Sequence, residues 1–135
     1  MKTIENQTRN SAVILLMILF SLISIESRAT DVKGFIDLFV AQVNKECPIK
    51  LDDGIVMEKC EQKGEKTIGF YFSLSDCVAK NIKRDGVLKK AAVELLKSSP
   101  AINIIKELRI SFLYIYNDSE GKMIEEMRIT PKDYE

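Results

Sequence analysis

Thr67-Ile68-Gly69-Phe70-Tyr71-Phe72-Ser73-Leu74-Ser75 is the stretch that decides the fold. Ile68, Phe70, Phe72 and Leu74 share one parity, and Thr67, Gly69, Tyr71, Ser73 and Ser75 share the other. Successive strand side chains point to opposite faces, so this is a strand with one buried side and one side that is at least half wet. Such strands belong to antiparallel sheets covered on a single face. Upstream, Ile49, Leu51, Ile55 and Met57 lie on one parity of an incoming strand, interrupted by Asp52-Asp53-Gly54. Gln62-Lys63-Gly64-Glu65 then supplies turn chemistry, which predicts a hairpin closed at Lys63-Gly64.

The flanking segments change period. From Thr30, a residue type suited to the N-cap, Val32, Phe35, Ile36, Phe39, Val40 and Val43 form the stripe of an amphipathic helix that stops before Pro48. Lys83 to Ser98 returns to helical spacing through Leu88, Ala91, Ala92 and Leu95, with Asp85 placed to cap it. Ser99-Pro100 opens a further helix through Ala101, Ile102, Ile105 and Leu108. Arg109 to Tyr116 is a second aromatic strand, with Ile110, Phe112, Tyr114 and Tyr116 on one side. Asn117 to Gly121 is a turn, and Met123 to Thr130 is a charged returning strand stopped by Pro131. The order expected is α-β-β-α-α-β-β. It implies an α+β domain over residues 30–135: a largely antiparallel four-stranded sheet of two hairpins with helices packed on one face.

The N-terminus reads as an address. Lys2 and Arg9 precede the uncharged run from Ala12 to Ile25, which is shorter than the ~20 residues that span a bilayer. Ser27-Arg28-Ala29 offers small residues at a cleavage site. Residues 1–29 are therefore expected to be a signal peptide removed before Thr30. The alternative is an uncleaved membrane anchor through residues 12–25. Either way the domain is exported, periplasmic or secreted when the leader is cleaved and membrane-attached only when it is not.

Asn44-Lys45 followed by Pro48, Phe72-Ser73-Leu74, Tyr114-Ile115-Tyr116-Asn117-Asp118 with Gly121-Lys122, and Ile129-Thr130-Pro131-Lys132-Asp133 together resemble a group of small exported bacterial proteins of uncharacterised function. The similarity runs from about Asn44 to Asp133. It implies export and a small α+β domain and supplies no active site.

Charge and composition narrow the function. Among 135 residues, 20 Lys plus Arg balance 20 Asp plus Glu, which removes a sequence-wide argument for a nucleic-acid partner. There is no histidine, the usual general base and a common metal ligand. No cofactor and no metal are expected. The leading reading is a non-enzymatic exported domain that binds a protein, peptide or envelope component through a sheet face or edge. A structural or accessory subunit of a membrane or envelope assembly is the alternative, and an enzyme with a His-independent mechanism comes third.

Individual residues sharpen this. Tyr71, Tyr114 and Tyr116 are aromatics a sheet could display as a binding face. Asp52-Asp53 and Glu125-Glu126 are adjacent carboxylates that point to opposite strand faces, so they read as solvated charge. Lys80, Lys83, Arg84, Lys89 and Lys90 form a basic cluster diluted by Asp76, Asp85 and Glu94. Three cysteines in an exported chain predict a disulfide and a leftover thiol. With the turn at Lys63-Gly64, Cys60 and Cys77 are far apart, and Cys47 and Cys60 lie roughly 40 Å apart on one extended strand unless Asp52-Asp53-Gly54 bends it. Cys47 with Cys77 is the pair this register allows, with three free thiols as its rival.

Overall fold

In the computed structural model, which describes residues 31–82 and 87–135, the first helix, α1 (Val32–Glu46), opens at Asp31. The Asp31 carboxylate accepts from the Gly34 N–H at 2.7 Å, so Asp31 takes the capping role expected of Thr30. Phe35, Ile36, Phe39 and Val43 are the buried stripe of α1, as the spacing predicts. After it come β1 (Ile49–Asp52), β2 (Ile55–Gly64), β3 (Thr67–Leu74), α2 (Asp76–Asn81), α3 (Val87–Lys97), α4 (Ile102–Leu108), β4 (Ser111–Asn117), β5 (Met123–Ile129) and α5 (Pro131–Tyr134).

The expectation of four strands in two antiparallel hairpins is corrected in two respects. Asp52-Asp53-Gly54 is a full hairpin turn, so the incoming strand is two strands, β1 and β2, with Ile49 opposite Met57 and Lys50 opposite Val56. Gly54 holds φ at +80°, a conformation open to glycine at little cost, and its carbonyl accepts from Ser75 N–H at 2.8 Å, which ties the turn to the end of β3. The sheet is therefore five-stranded, in order β1-β2-β3-β4-β5. It is also mixed, because β4 lies parallel to β3 with Phe70 beside Tyr114 and Tyr71 beside Ile115. Three helices intervene between β3 and β4, and a crossover of that kind is what a parallel pair requires. The turn between β2 and β3 lies later than expected, at Glu65-Lys66, which sets Cys60 opposite Phe70.

Two helices were absent from the expected order. Ser75 caps α2 by accepting from Val78 N–H at 3.4 Å. At α5, Pro131 follows Thr130, and the Asp133 carboxylate accepts from the Thr130 N–H at 2.8 Å. This short helix carries Tyr134 into the core, where its hydroxyl donates to the Ile110 carbonyl at 2.7 Å and also faces that of Ile105 at 3.3 Å. Asp85, expected to cap α3, lies outside the described residues.

All the buried helix residues meet one parity of the strands in a single core. Phe35 and Phe39 from α1, Val78 from α2, Ala92, Val93 and Leu96 from α3, Ile105 from α4 and Tyr134 from α5 join Phe70, Phe72, Phe112, Tyr114 and Ile129. An aromatic chain runs through it, from Phe39 edge-on to Phe70 at 5.9 Å, on to Tyr114 at 5.2 Å, and from Phe72 stacked on Tyr116 at 5.0 Å. The described helices therefore pack on one face of the sheet, and none of them lies on the other, called the open face below.

Candidate functional site

The open face is read directly from the strand register. Two rows cross it. Lys59 of β2 faces Tyr71 of β3, which lies beside Ile115 of β4, which faces Glu126 of β5. In the next row Glu61, Gly69, Leu113 and Arg128 follow one another in the same way. The centre is apolar, and each flank carries one acid and one base in opposite order. Leu113 is only 5% exposed even though none of the described helices covers this side.

Tyr71 is fixed by its neighbours. Its hydroxyl donates to Glu61 Oε1 at 2.6 Å and accepts from Lys63 Nζ at 2.8 Å. Lys59 Nζ lies 3.4 Å from the Glu61 carboxylate and 4.6 Å above the Tyr71 ring. Lys63 crosses the sheet to reach the hydroxyl, and Gly69 makes room for it: a Cβ at position 69 would come within 2.5 Å of Lys63 Cγ. The Tyr71 hydroxyl bond, with the ammonium of Lys59, holds the Glu61 carboxyl below its usual range. Lys63 is shifted the other way, upward, by its bond to Tyr71 and by Glu61. These are surface pairs screened by solvent, and their effect is to orient the ring.

Tyr114 and Tyr116 lie on the covered face, 1% and 5% exposed, and burial pushes both phenols up. The three tyrosines are not brought together. Tyr71 alone is displayed, and its companions on the open face are Leu113 and Ile115, which alternate with Tyr114 and Tyr116 along β4. Their juxtaposition depends on the parallel β3–β4 pairing, for which a single sequence carries no local signal.

The remaining named residues fall as follows. Asp53 is an exposed turn residue paired with Lys50 at 3.4 Å, and Asp52 accepts from the Asp53 N–H at 2.8 Å. Glu125 pairs with Tyr116 on the covered side and Glu126 with Ile115 on the open side, the opposite orientations expected of strand neighbours. Lys89 meets Asp133 at 3.3 Å, Lys80 and Lys90 are exposed, and Lys83 and Arg84 lie outside the described residues. The thiols of Cys47, Cys60 and Cys77 are free, half-buried, buried and exposed respectively. Among the described residues no group of three or more Cys, Asp or Glu side chains is placed to hold a metal ion.

Residues 33–124 match the family model described as Domain of unknown function (DUF8479). The chain belongs to that family. No curated protein matches its sequence. Three solved structures share the fold of this DUF8479 domain. A Pseudomonas aeruginosa protein thought to be secreted superposes with a TM-score of 0.67 at 8% identity, over 77% of this chain and 93% of its own. The type II secretion system pilotin AspS from Vibrio cholerae gives 0.55 at 15% identity over 80% of this chain and 99% of its own. EpsS, the pilotin of the Vibrio vulnificus type 2 secretion system, gives 0.55 at 9% identity over 96% and 97%. At these identities the likeness is one of fold. Among the described residues no helix is long and apolar enough to cross a membrane, and residues 1–29, with the apolar run 12–25, lie outside them.

Proposed function

We propose that the protein is an exported, non-enzymatic accessory subunit of an envelope assembly and that it engages a protein partner through the open face of its sheet. The observation that carries this is the strip Tyr71–Leu113–Ile115, apolar at its centre, held in place by Glu61 and Lys63, and bracketed on both sides by one acid and one base. Its complement is a protein segment with an apolar anchor between charges of both signs. Two observations support the assembly role: the fold shared with two type II secretion pilotins, and the leader-like sequence of residues 1–29. The absence of histidine supports a non-catalytic role. Export removes the leader before Thr30, and mass spectrometry of the mature chain reads that terminus directly.

Site-specific photocrosslinking in intact cells tests the surface. A crosslinker at position 71, 115 or 128 is expected to capture one component of an envelope assembly, and one at Asp37, on the exposed side of α1, is expected to capture none. Equal capture from position 37, or none from the sheet, would falsify the reading. A free-standing exported binding domain is the second reading, favoured by the higher TM-score of the Pseudomonas aeruginosa structure. It predicts adducts with a partner that belongs to no assembly.

A further inference from the structure

The cysteines take no part in the open face, and two of the three converge beneath the sheet. Cys47 lies just before β1, whose first residue Ile49 lies opposite Met57 of β2, three residues before Cys60. The two share a face, because the irregularity between Met57 and Lys59 turns both Met57 and Cys60 to the core, where Ile49, Leu51 and Cys47 also pack. A tie independent of the strands pins the same two segments together. Asn44, one helical turn before Cys47, accepts from the Cys60 N–H and donates to the Cys60 carbonyl, both at 2.8 Å. Cys77, by contrast, lies on α2 and is exposed. Burial, and after it the nearby Cys47 sulfur, raises the Cys60 thiol well above its ordinary range.

We propose that Cys47 and Cys60 are a dithiol pair that closes to an intramolecular disulfide when the exported chain meets a disulfide oxidant. Cys47 is the less buried and reacts first: it gives up its proton, and its thiolate attacks one sulfur of the oxidant, expelling the other. Cys60 then gives up its proton and attacks Cys47 Sγ, expelling the second oxidant sulfur. Two protein thiols are oxidised and one external disulfide is reduced to two thiols, which take the two protons. The new bond joins the end of α1 to the middle of β2, where Asn44 already holds them. The buried Cys60 makes the second step the slow one.

The test uses the folded chain, oxidised glutathione and tryptic mapping without reduction. Cleavage at lysines separates residues 46–50, 60–63 and 67–80, so each cysteine has its own peptide. The expected product is 46–50 joined to 60–63, with a mass lower by two hydrogens, in the natural chain and in Cys77→Ser alike. Cys47→Ser and Cys60→Ala should form no intramolecular bond, and Cys60→Ala should stall with glutathione on Cys47. A peptide joining 46–50 to 67–80 would overturn the proposal. So would persistence of all three thiols after prolonged oxidation of the natural chain. Neither result depends on the partner surface proposed above.

Discussion

Replacing Asn44 by Ala removes a side chain that completes the sheet where a strand is missing. The last β1 pair is Ile49 with Met57, so β1 stops short of Cys60. In a strand the N–H and C=O of one residue point the same way, and those of Cys60 point away from β3, toward α1. The Asn44 amide meets both, as a neighbouring strand would. Each bond contributes about 1 kcal/mol net, more where a buried backbone group is left without a partner. Cys60 is 2% exposed, but Asn44 itself lies at the surface, and water that enters on truncation recovers part of the loss. Asn44→Ala should therefore destabilise by about 2 kcal/mol, a shift of roughly 1 M in the urea midpoint of a domain this size. Asn44→Asp is the sharper probe. It keeps the acceptor for the Cys60 N–H but turns a second oxygen toward the Cys60 carbonyl, so it should cost at least as much as alanine. A midpoint for Asn44→Ala within experimental error of the natural chain would refute the idea that this amide stands in for a strand.

Three further outcomes are expected. Phe72→Ala, which empties a site stacked on Tyr116, should cost about 3 to 5 kcal/mol, whereas Tyr71→Ala on the open face should cost about 1; urea midpoints that reverse this order would mean the sheet buries its other side. Tyr134→Phe should cost about 1 to 2 kcal/mol by leaving the Ile110 carbonyl unpaired, measured by thermal melting against Tyr134→Ala, which should lose much more. Asp133 has its carboxyl lowered, first by the Thr130 N–H and then by Lys89. The unfolded chain thus takes up its proton at a higher pH than the folded one, so the contribution is complete above about pH 4 and lost as pH falls below it. Acid titration of stability should be steeper for the natural chain than for Asp133→Asn, and parallel curves would remove Asp133 from the account.

What the sequence discloses here is what period and parity encode. The α1 stripe, the two faces of β3 and the aromatic face of β4 are each properties of a single segment, and the structure places them as their spacing requires. What escaped is what depends on pairing between segments. Asp52-Asp53-Gly54 was legible as turn chemistry, but whether a turn merely bends a strand or reverses it depends on what lies beside it, and here the end of β3 catches the Gly54 carbonyl. That reversal carries Cys47 back beside Cys60, so the straight-strand geometry behind the Cys47–Cys77 register does not hold. The parallel β3–β4 pair is likewise invisible locally, and with it the grouping of Tyr71 with Leu113 and Ile115. The α5 helix is a different case: Thr130, Pro131 and Asp133 form a start signal, but its 4 residues are too few for a periodic stripe to show.

Strand order in space equals strand order along the chain, and that has a kinetic corollary. Three of the four strand pairings close across short turns, whereas β3 and β4 meet only after the chain from Leu74 to Ser111 has been gathered in. Loop closure costs entropy before the contacts behind it form, so that central seam should be the late event. The two sides of the seam, β1–β3 with α1 and β4–β5 with α5, would then assemble as separate pieces that recognise each other through Phe70, Phe72, Tyr114 and Tyr116. Substitutions in those rings should slow folding, and an interrupted synthesis or crowded export would expose an unpaired β3 edge to a second copy of the chain, making exchange of the C-terminal piece between copies the failure to look for.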